Sequence, residues 1–457
     1  MLMSAGQEGL WLAHQLDPQS PAYNVVLAVR IRTALDTGAL RRALTFLVER
    51  HELLRSRFPA DGDGDGHGED ARDDGRPVRR TVPADEVRLD VRDVPGADDE
   101  ALFDLARRAG EEPFRLASEG AFRAVLLRRA PDDAVLLTAT HHIVSDATSQ
   151  WILVRDLLHA YEAAAAGTRP DWPPLEATWD EYVAAERRLA GSPRGLRAAD
   201  YWREVCADVP LATLPADRPR PAWRTLNGAT HELRLHEDDA ARLRAAAKES
   251  RLTPFAWLLG AFQAALYRSG SGPRFLIGCP ATTRLQPGTR EAVGYYVNAL
   301  PVTAGIGPST SLGELAHGAH LQLLRGMSHI AYPLELIGRG ELFKVSFTSV
   351  AADRLPVPGL FQGPVEHRGL RLELCDVPQQ EGQLDLTVEV LESASGFTAL
   401  LRYNTDLFDA ATVERFADTY ARLLRAGLDD PAAPVAEASL VDADDLAFLL
   451  ALGSGAA

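Results

Sequence analysis

The chain has 457 residues, 46% of them hydrophobic and 25% charged, the make-up of a folded globular protein with room for two or three domains. A formal charge of −16, from 48 basic against 64 acidic residues, repels phosphate backbones and argues against a nucleic-acid partner. No apolar run approaches the ~18 residues that span a bilayer, and the N-terminus carries no basic-then-apolar signal.

Three scattered cysteines, Cys206, Cys279 and Cys375, have no Cys-x-x-Cys spacing. They predict neither a disulfide framework nor a structural zinc site, and they fit a reducing cytoplasm. In chain order, Val-rich Val25 to Ile31 predicts a strand. Asp36 to Glu49 puts Leu40, Ala43, Leu44 and Leu47 on one face and predicts a helix. Residues 61–74 are glycine and acid with Ala71 as the one apolar residue, a solvated loop. Its start, Asp61-Gly-Asp63-Gly-Asp65-Gly66, imitates an EF-hand. Arg72 stands at the twelfth position and no amphipathic helices flank the segment, so calcium is rejected.

Ala121 to Arg128 and Ala134 to Thr140 predict two strands joined by a turn at Pro131-Asp132-Asp133. The second is nearly all apolar and reads as a central strand covered on both faces. A helical pattern with Trp151, Val154, Leu157 and Leu158 on one face then runs to about Ala165. Proline-rich Gly167 to Thr178 reads as a linker, which divides the chain into residues 1–175 and 176–457. The second part repeats the same grammar. Strands are predicted at Thr230 to Leu235, Arg274 to Cys279, Phe343 to Val350, Leu384 to Leu391 and Phe397 to Tyr403. Helices are predicted at Asp238 to Glu249, Thr253 to Arg268, Leu312 to Gly326 and Ala410 to Leu424. The fold class is therefore mixed α/β.

Between the central strand and its following helix lies His141-His142-x-x-x-Asp146. Turns at the carboxyl ends of strands are favoured places for function. An imidazole titrates near neutrality and can take a proton from an attacking amine or hydroxyl. Adjacent histidines in extended chain point to opposite sides, so one enters a cleft and the other packs on the scaffold. Asp146 is placed to brace the turn through an arginine, or to cap the helix. With twelve histidines in the chain the motif alone is a weak signal. His14, His51, His67 and His320 read as surface or structural residues.

The surrounding residues add weight. Ser4-Ala5-Gly6-Gln7-Glu8-Gly9-Leu10-Trp11, Arg50-His51-Glu52-Leu53-Leu54-Arg55-Ser56-Arg57-Phe58, the histidine motif and Trp179-Asp180-Glu181-Tyr182 occur in order. Tyr201-Trp202 with Leu214 to Pro221, Ile277-Gly278-Cys279-Pro280 to Arg284, Gly294-Tyr295-Tyr296-Val297-Asn298-Ala299-Leu300-Pro301, Tyr332-Pro333-Leu334-Glu335 and Tyr403 to Asp409 follow. In this order they resemble the condensation domains of nonribosomal peptide synthetases along nearly the whole chain.

That resemblance implies two chloramphenicol-acetyltransferase-like lobes in a V around a central tunnel. The first lobe would carry the motif, and the second a floor segment (Arg284 to Gly294) and a latch (near Leu370 to Leu386). His142 would act on the acceptor nucleophile, His141 would be structural, and Asp146 would pair with Arg284. Asn298, Tyr296 and Ser346 are carried as tunnel or substrate residues. Ala147 departs from the family's glycine; it excludes only a positive φ and is expected to leave the site working. The implied reaction transfers an acyl or aminoacyl group from a carrier protein's phosphopantetheine thioester to an amine or hydroxyl, giving an amide or ester in natural-product biosynthesis. The partners would be that loaded carrier and a small-molecule or carrier-bound acceptor, with no metal or other cofactor held by the enzyme. Both histidines are kept, which argues against cyclisation and recruitment relatives; Glu381-Gly382 is a poor match to the acidic segment of epimerisation relatives. Ser145 is not placed as a nucleophile. A free-standing enzyme is expected from the chain ends. Two alternatives stand beside this reading: an acyl-CoA-dependent acyltransferase of the same fold, and a non-catalytic carrier-docking module.

Overall fold

The computed structural model describes residues 1–60, 77–221, 226–285, 287–338, 340–352, 357, 359–360, 363–375, 377 and 382–440. The glycine-rich acidic segment and Glu381 lie outside them.

The first half runs α1 (Ala5–Leu16), β1 (Asn24–Ile31), α2 (Thr37–Arg50), the short β2 (Ser56–Arg57) and β3 (Arg80–Thr81), β4 (Leu89–Asp93), α3 (Asp99–Glu111), β5 (Phe122–Ala130), β6 (Asp133–His141) and α4 (Ala147–Ala165). Next come α5 (Trp179–Ala190), α6 (Pro193–Cys206), β7 (Gly228–Arg234), α7 (Glu237–Ser250), α8 (Pro254–Arg268), β8 (Arg274–Thr282), β9 (Val297–Gly305) and α9 (Leu312–Met327). The chain closes with β10 (Val345–Ala351), β11 (Val365–His367), β12 (Leu370–Cys375), β13 (Leu386–Ser393), β14 (Gly396–Asn404) and α10 (Ala410–Asp429).

Two six-stranded sheets organise these elements, in the orders β11-β12-β1-β6-β5-β4 and β7-β14-β13-β10-β8-β9. β6 sits between β1 and β5 and is buried along all but its first residue. Its apolar run is explained by this double cover: Leu136 faces a core with α2 and α4, while Val135 and Leu137 face a core with α1 and α3. Burying each such side chain contributes about 1.5–3 kcal/mol. The second sheet has its own core, with α8 and α10 packed on it through Phe262, Phe347, Phe416 and Tyr420.

The chain crosses between the sheets after β10. β12 pairs antiparallel with β1, Ala28 opposite Cys375 and Ile31 opposite Leu372, before β13 returns to run parallel to β10. The segment expected as a latch, near Leu370 to Leu386, adds β12 to the first sheet, and β11, which precedes that segment in the chain, forms the edge beyond it. β8 and β9 form the antiparallel pair at one edge of the second sheet, matched from Arg274↔Gly305 to Thr282↔Val297, and their long connection reaches back toward the first.

Candidate active site

The β1–β6 ladder ends at the pair Asn24↔His141, and the His142 N–H donates to the Tyr23 carbonyl at 2.8 Å. The backbone then makes one tight turn over His142–Val144 before Asp146 caps α4. This turn separates the two histidines. His141 is buried with its ring among those of His14, Tyr23 and Phe114, and its Nδ1 accepts from the Ile143 N–H at 3.2 Å. Burial holds its pKa well below 6.5, so it stays neutral.

His142 is half-buried, with its ring edge-on to Tyr295 at 5.1 Å between centroids. Its Nδ1 lies 2.6 Å from the Ser145 carbonyl oxygen. A carbonyl can only accept, so Nδ1 carries the hydrogen and Nε2 keeps an open lone pair. Burial lowers the His142 pKa from 6.5; the Ser145 hydrogen bond and the Asp146 charge oppose that shift. The neutral ring with a free Nε2 is the form a general base needs at neutral pH.

Asp146 is buried and its carboxylate is fully committed. Oδ1 accepts from the Ser149 N–H at 2.7 Å and Oδ2 from the Tyr296 N–H at 3.1 Å. Arg284 Nη2 approaches the two oxygens at 2.9 and 3.1 Å and also donates to Ser149 Oγ at 2.8 Å. Arg284 Nη1 donates to the carbonyls of Thr289 and Ala292, and its guanidinium lies 4.2 Å over the Tyr296 ring. Capping and ion pairing are therefore one arrangement here. Gly294 permits it: a Cβ there would fall 2.6 Å from the Trp179 ring.

The structure brings His141, His142, Asp146 and Arg284 together; Tyr296, Asn298 and Ser346 have other surroundings, and Ala147 and Ser145 flank Asp146. Tyr296 is buried among Trp179, Tyr182 and Arg284, while its neighbour Tyr295 meets His142; consecutive side chains point to opposite sides. Asn298 lines the same cleft as Tyr295, but its Nδ2 donates to the carbonyls of Ile330 and Tyr332 and its Oδ1 accepts from two backbone N–H groups. Ser346 lies on β10 and bonds Thr387 Oγ1 at 3.0 Å in the second sheet. Ala147 is the exposed first residue of α4 and does not have a positive φ. Ser145 is buried and its Oγ accepts from Gln150 Nε2 at 2.7 Å, as a scaffold residue would.

Gln7 is a positioning residue that the sequence reading quoted without a role. It completes a capping box with Ser4 at the start of α1, its Nε2 donates to the Ile143 carbonyl at 2.8 Å, and its Oε1 accepts from Trp179 Nε1 at 3.0 Å. The Ser-x-x-Gln spacing at Ser4 was the available signal. Two carboxylates face the cleft beside Tyr295. Burial pushes Glu186 up to about 7, with Glu335 adding repulsion, and burial also raises Glu335.

A family model described as "Condensation domain" matches residues 1–450. The chain belongs to the condensation-domain family. A probable non-canonical nonribosomal peptide synthetase of Salinispora arenicola, CymA, is 34% identical over 466 residues, covering 98% of this chain and 6% of that protein. The chain spans from 6% to 41% of the length of curated relatives of this kind. Among solved structures, the X-domain from teicoplanin biosynthesis aligns with a TM-score of 0.84 at 24% identity, covering 96% of this chain and 97% of that one. The first condensation domain of the CDA synthetase aligns at 0.77 and 22%, covering 96% and 99%. The condensation-domain fold, mixed α/β with acetyltransferase-like lobes, is the architecture expected from sequence. Among the described residues no helix is long and apolar enough to cross a membrane.

Proposed function

We propose that this chain condenses an acyl or aminoacyl group, delivered as a carrier protein's phosphopantetheine thioester, with an amine or hydroxyl acceptor. The observation that carries the reading is the His142 tautomer: Nδ1 is held at 2.6 Å by the Ser145 carbonyl, leaving Nε2 as an acceptor on a ring that meets Tyr295 edge-on. The acceptor nitrogen or oxygen attacks the thioester carbon while Nε2 takes its proton. The tetrahedral intermediate then collapses, the carbon–sulfur bond breaks, and the thiolate leaves and recovers the proton. The thioester is already activated, so no covalent enzyme intermediate is required. His141 supports the ladder end, and Asp146 with Arg284 fixes the turn that aims His142. Residues 1–175 and 176–457 are read as the two lobes, with β11 and β12 returned from the second to the first. The cytoplasm is the compartment we assign, in keeping with the three free cysteines.

The test supplies one acyl group both on a holo-carrier and as free acyl-CoA, with amine and alcohol acceptors, and follows product by mass spectrometry. Product from the carrier thioester alone supports this reading. Equal turnover of acyl-CoA favours the coenzyme A-dependent alternative. Absence of product from every donor contradicts catalysis and leaves a docking module.

A further inference from the structure

The turn that aims His142 starts after Thr140 on β6 and ends at Ser145, and one side chain reaches both ends. Gln150 lies on α4 and is 4% exposed. Its Nε2 donates to Thr140 Oγ1 at 2.6 Å and to Ser145 Oγ at 2.7 Å. The residues between those two contacts are His141, His142, Ile143 and Val144. A single amide group therefore staples the two ends of the histidine turn.

The neighbouring carbonyls fix the direction of these bonds. Thr140 Oγ1 lies 3.4 Å from the Val25 carbonyl oxygen, and Ser145 Oγ lies 3.4 Å from that of Asp146. A carbonyl only accepts, so each hydroxyl spends its hydrogen there and accepts from the amide. Both amide hydrogens are then used. Gln150 Oε1 is buried and has no partner among the described residues. A residue that served packing alone would need no amide, since an orphaned buried oxygen is unfavourable. What the amide adds at this place is its hold on Thr140 and Ser145.

Ser145 matters because its carbonyl holds His142 Nδ1 at 2.6 Å. The Ser145 N–H turns back to the His142 carbonyl at 3.2 Å. Among the described residues, the Gln150 bond is the one contact of these polar groups that comes from outside residues 142–146. Without it the Ser145 peptide is held by its own short turn alone. We infer that Gln150 is a positioning residue that keeps the Ser145 carbonyl on His142 Nδ1, and so keeps Nε2 as the free acceptor for acyl transfer. This inference rests on the catalytic reading of His142, but the tautomer can be observed without turnover.

The test is Gln150→Met, which nearly keeps the length of the side chain and deletes both donors. Ring ¹⁵N shifts of histidine-labelled protein report the tautomer, with the His142 signals assigned by their loss in His142→Ala. Wild type is expected to show the Nδ1–H form and Gln150→Met a mixture of tautomers. The variant's kcat should fall about 10- to 100-fold, with KM for the loaded carrier within about twofold of wild type, because a misaimed group affects the reacting step. The Ser145 bond raises the His142 pKa, so its loss should move the acid limb of the kcat profile to lower pH. The other titratable groups around the histidine pair are Asp146, His14 from α1, and Tyr295 with Glu335 behind it, and the substitution alters none of them. Ser145→Ala removes the hydroxyl that Gln150 holds and keeps the carbonyl. It should give the same mixture with no further loss in the double variant, and it serves if Gln150→Met does not fold.

Retention of the Nδ1–H form in Gln150→Met, whatever its rate, leaves Gln150 a packing residue and overturns the proposal. A mixed tautomer with kcat within about twofold of wild type also overturns it. A wild-type enzyme that lacks the Nδ1–H form contradicts the catalytic reading and this inference with it, whereas the first two outcomes strike this inference alone.

Discussion

The chain leaves one strand of each sheet, β6 and β8, in opposite ways. After β6 the chain makes a tight turn and presents His142, whose Nε2 has no partner among the described residues. After β8 the chain makes a long connection and presents Arg284, whose two terminal nitrogens are spent on Asp146, Ser149, Thr289 and Ala292. One sheet delivers a reactive atom; the other delivers a clamp. A base must be free at the atom that works and rigid everywhere else, and these residues divide those demands between the two halves of the chain.

The largest expected effect comes from breaking the clamp. Asp146→Ala leaves the Arg284 guanidinium buried without its counter-charge, which costs about 3–5 kcal/mol. Asp146→Ala and Arg284→Ala should each lower the midpoint of urea unfolding, and the double variant should cost clearly less than their sum. Strict additivity in that cycle would mean that the two side chains are not energetically coupled.

A smaller effect separates the helix start from the reactive turn. Ala147 is the first residue of α4 and has no positive φ to relieve, so Ala147→Gly should destabilise by up to about 1 kcal/mol. Its side chain is exposed, so the acyl-transfer rate should stay within about twofold of wild type, a shift of under ~0.5 kcal/mol in the barrier. A gain in melting temperature, or a changed preference between small and bulky acceptors, would give this position a role in shaping the site.

A pH-dependent effect lies in the cleft between the sheets. Glu186 accepts from the Ala5 N–H at 2.8 Å, and burial pushes its pKa up to about 7 from an ordinary 4.5. A raised carboxyl pKa means that its favourable contribution is complete below the ordinary value and is lost as pH rises through the folded one. Glu186→Gln should therefore match wild-type thermal stability near pH 4 and exceed it at pH 8. Equal stabilities at both values would show that the carboxyl is well solvated.

The sequence made the central strand, the histidine turn and the Asp146–Arg284 pairing readable, because each rests on a short local pattern or an ordered motif. β6 is legible as an unbroken apolar run. Helix α3 is harder to read, since its buried face is Leu102, Ala106, Ala109 and Gly110, small residues that give a weak periodic signal. The exchange of roles between Tyr295 and Tyr296 is a one-residue alternation that no composition rule resolves. The two strands at one edge of the first sheet come from residues 365–375, far along the chain from β1, so only the assembled fold shows their register.

The most direct test of the account is the single-turnover rate of acyl transfer from a loaded carrier by wild-type and His142→Ala enzymes, compared at pH 7 with matched circular dichroism spectra. Loss of a general base predicts a fall of roughly 10²- to 10⁴-fold with the fold intact. A folded His142→Ala enzyme within about threefold of wild type, a barrier change of under ~1 kcal/mol, would contradict it.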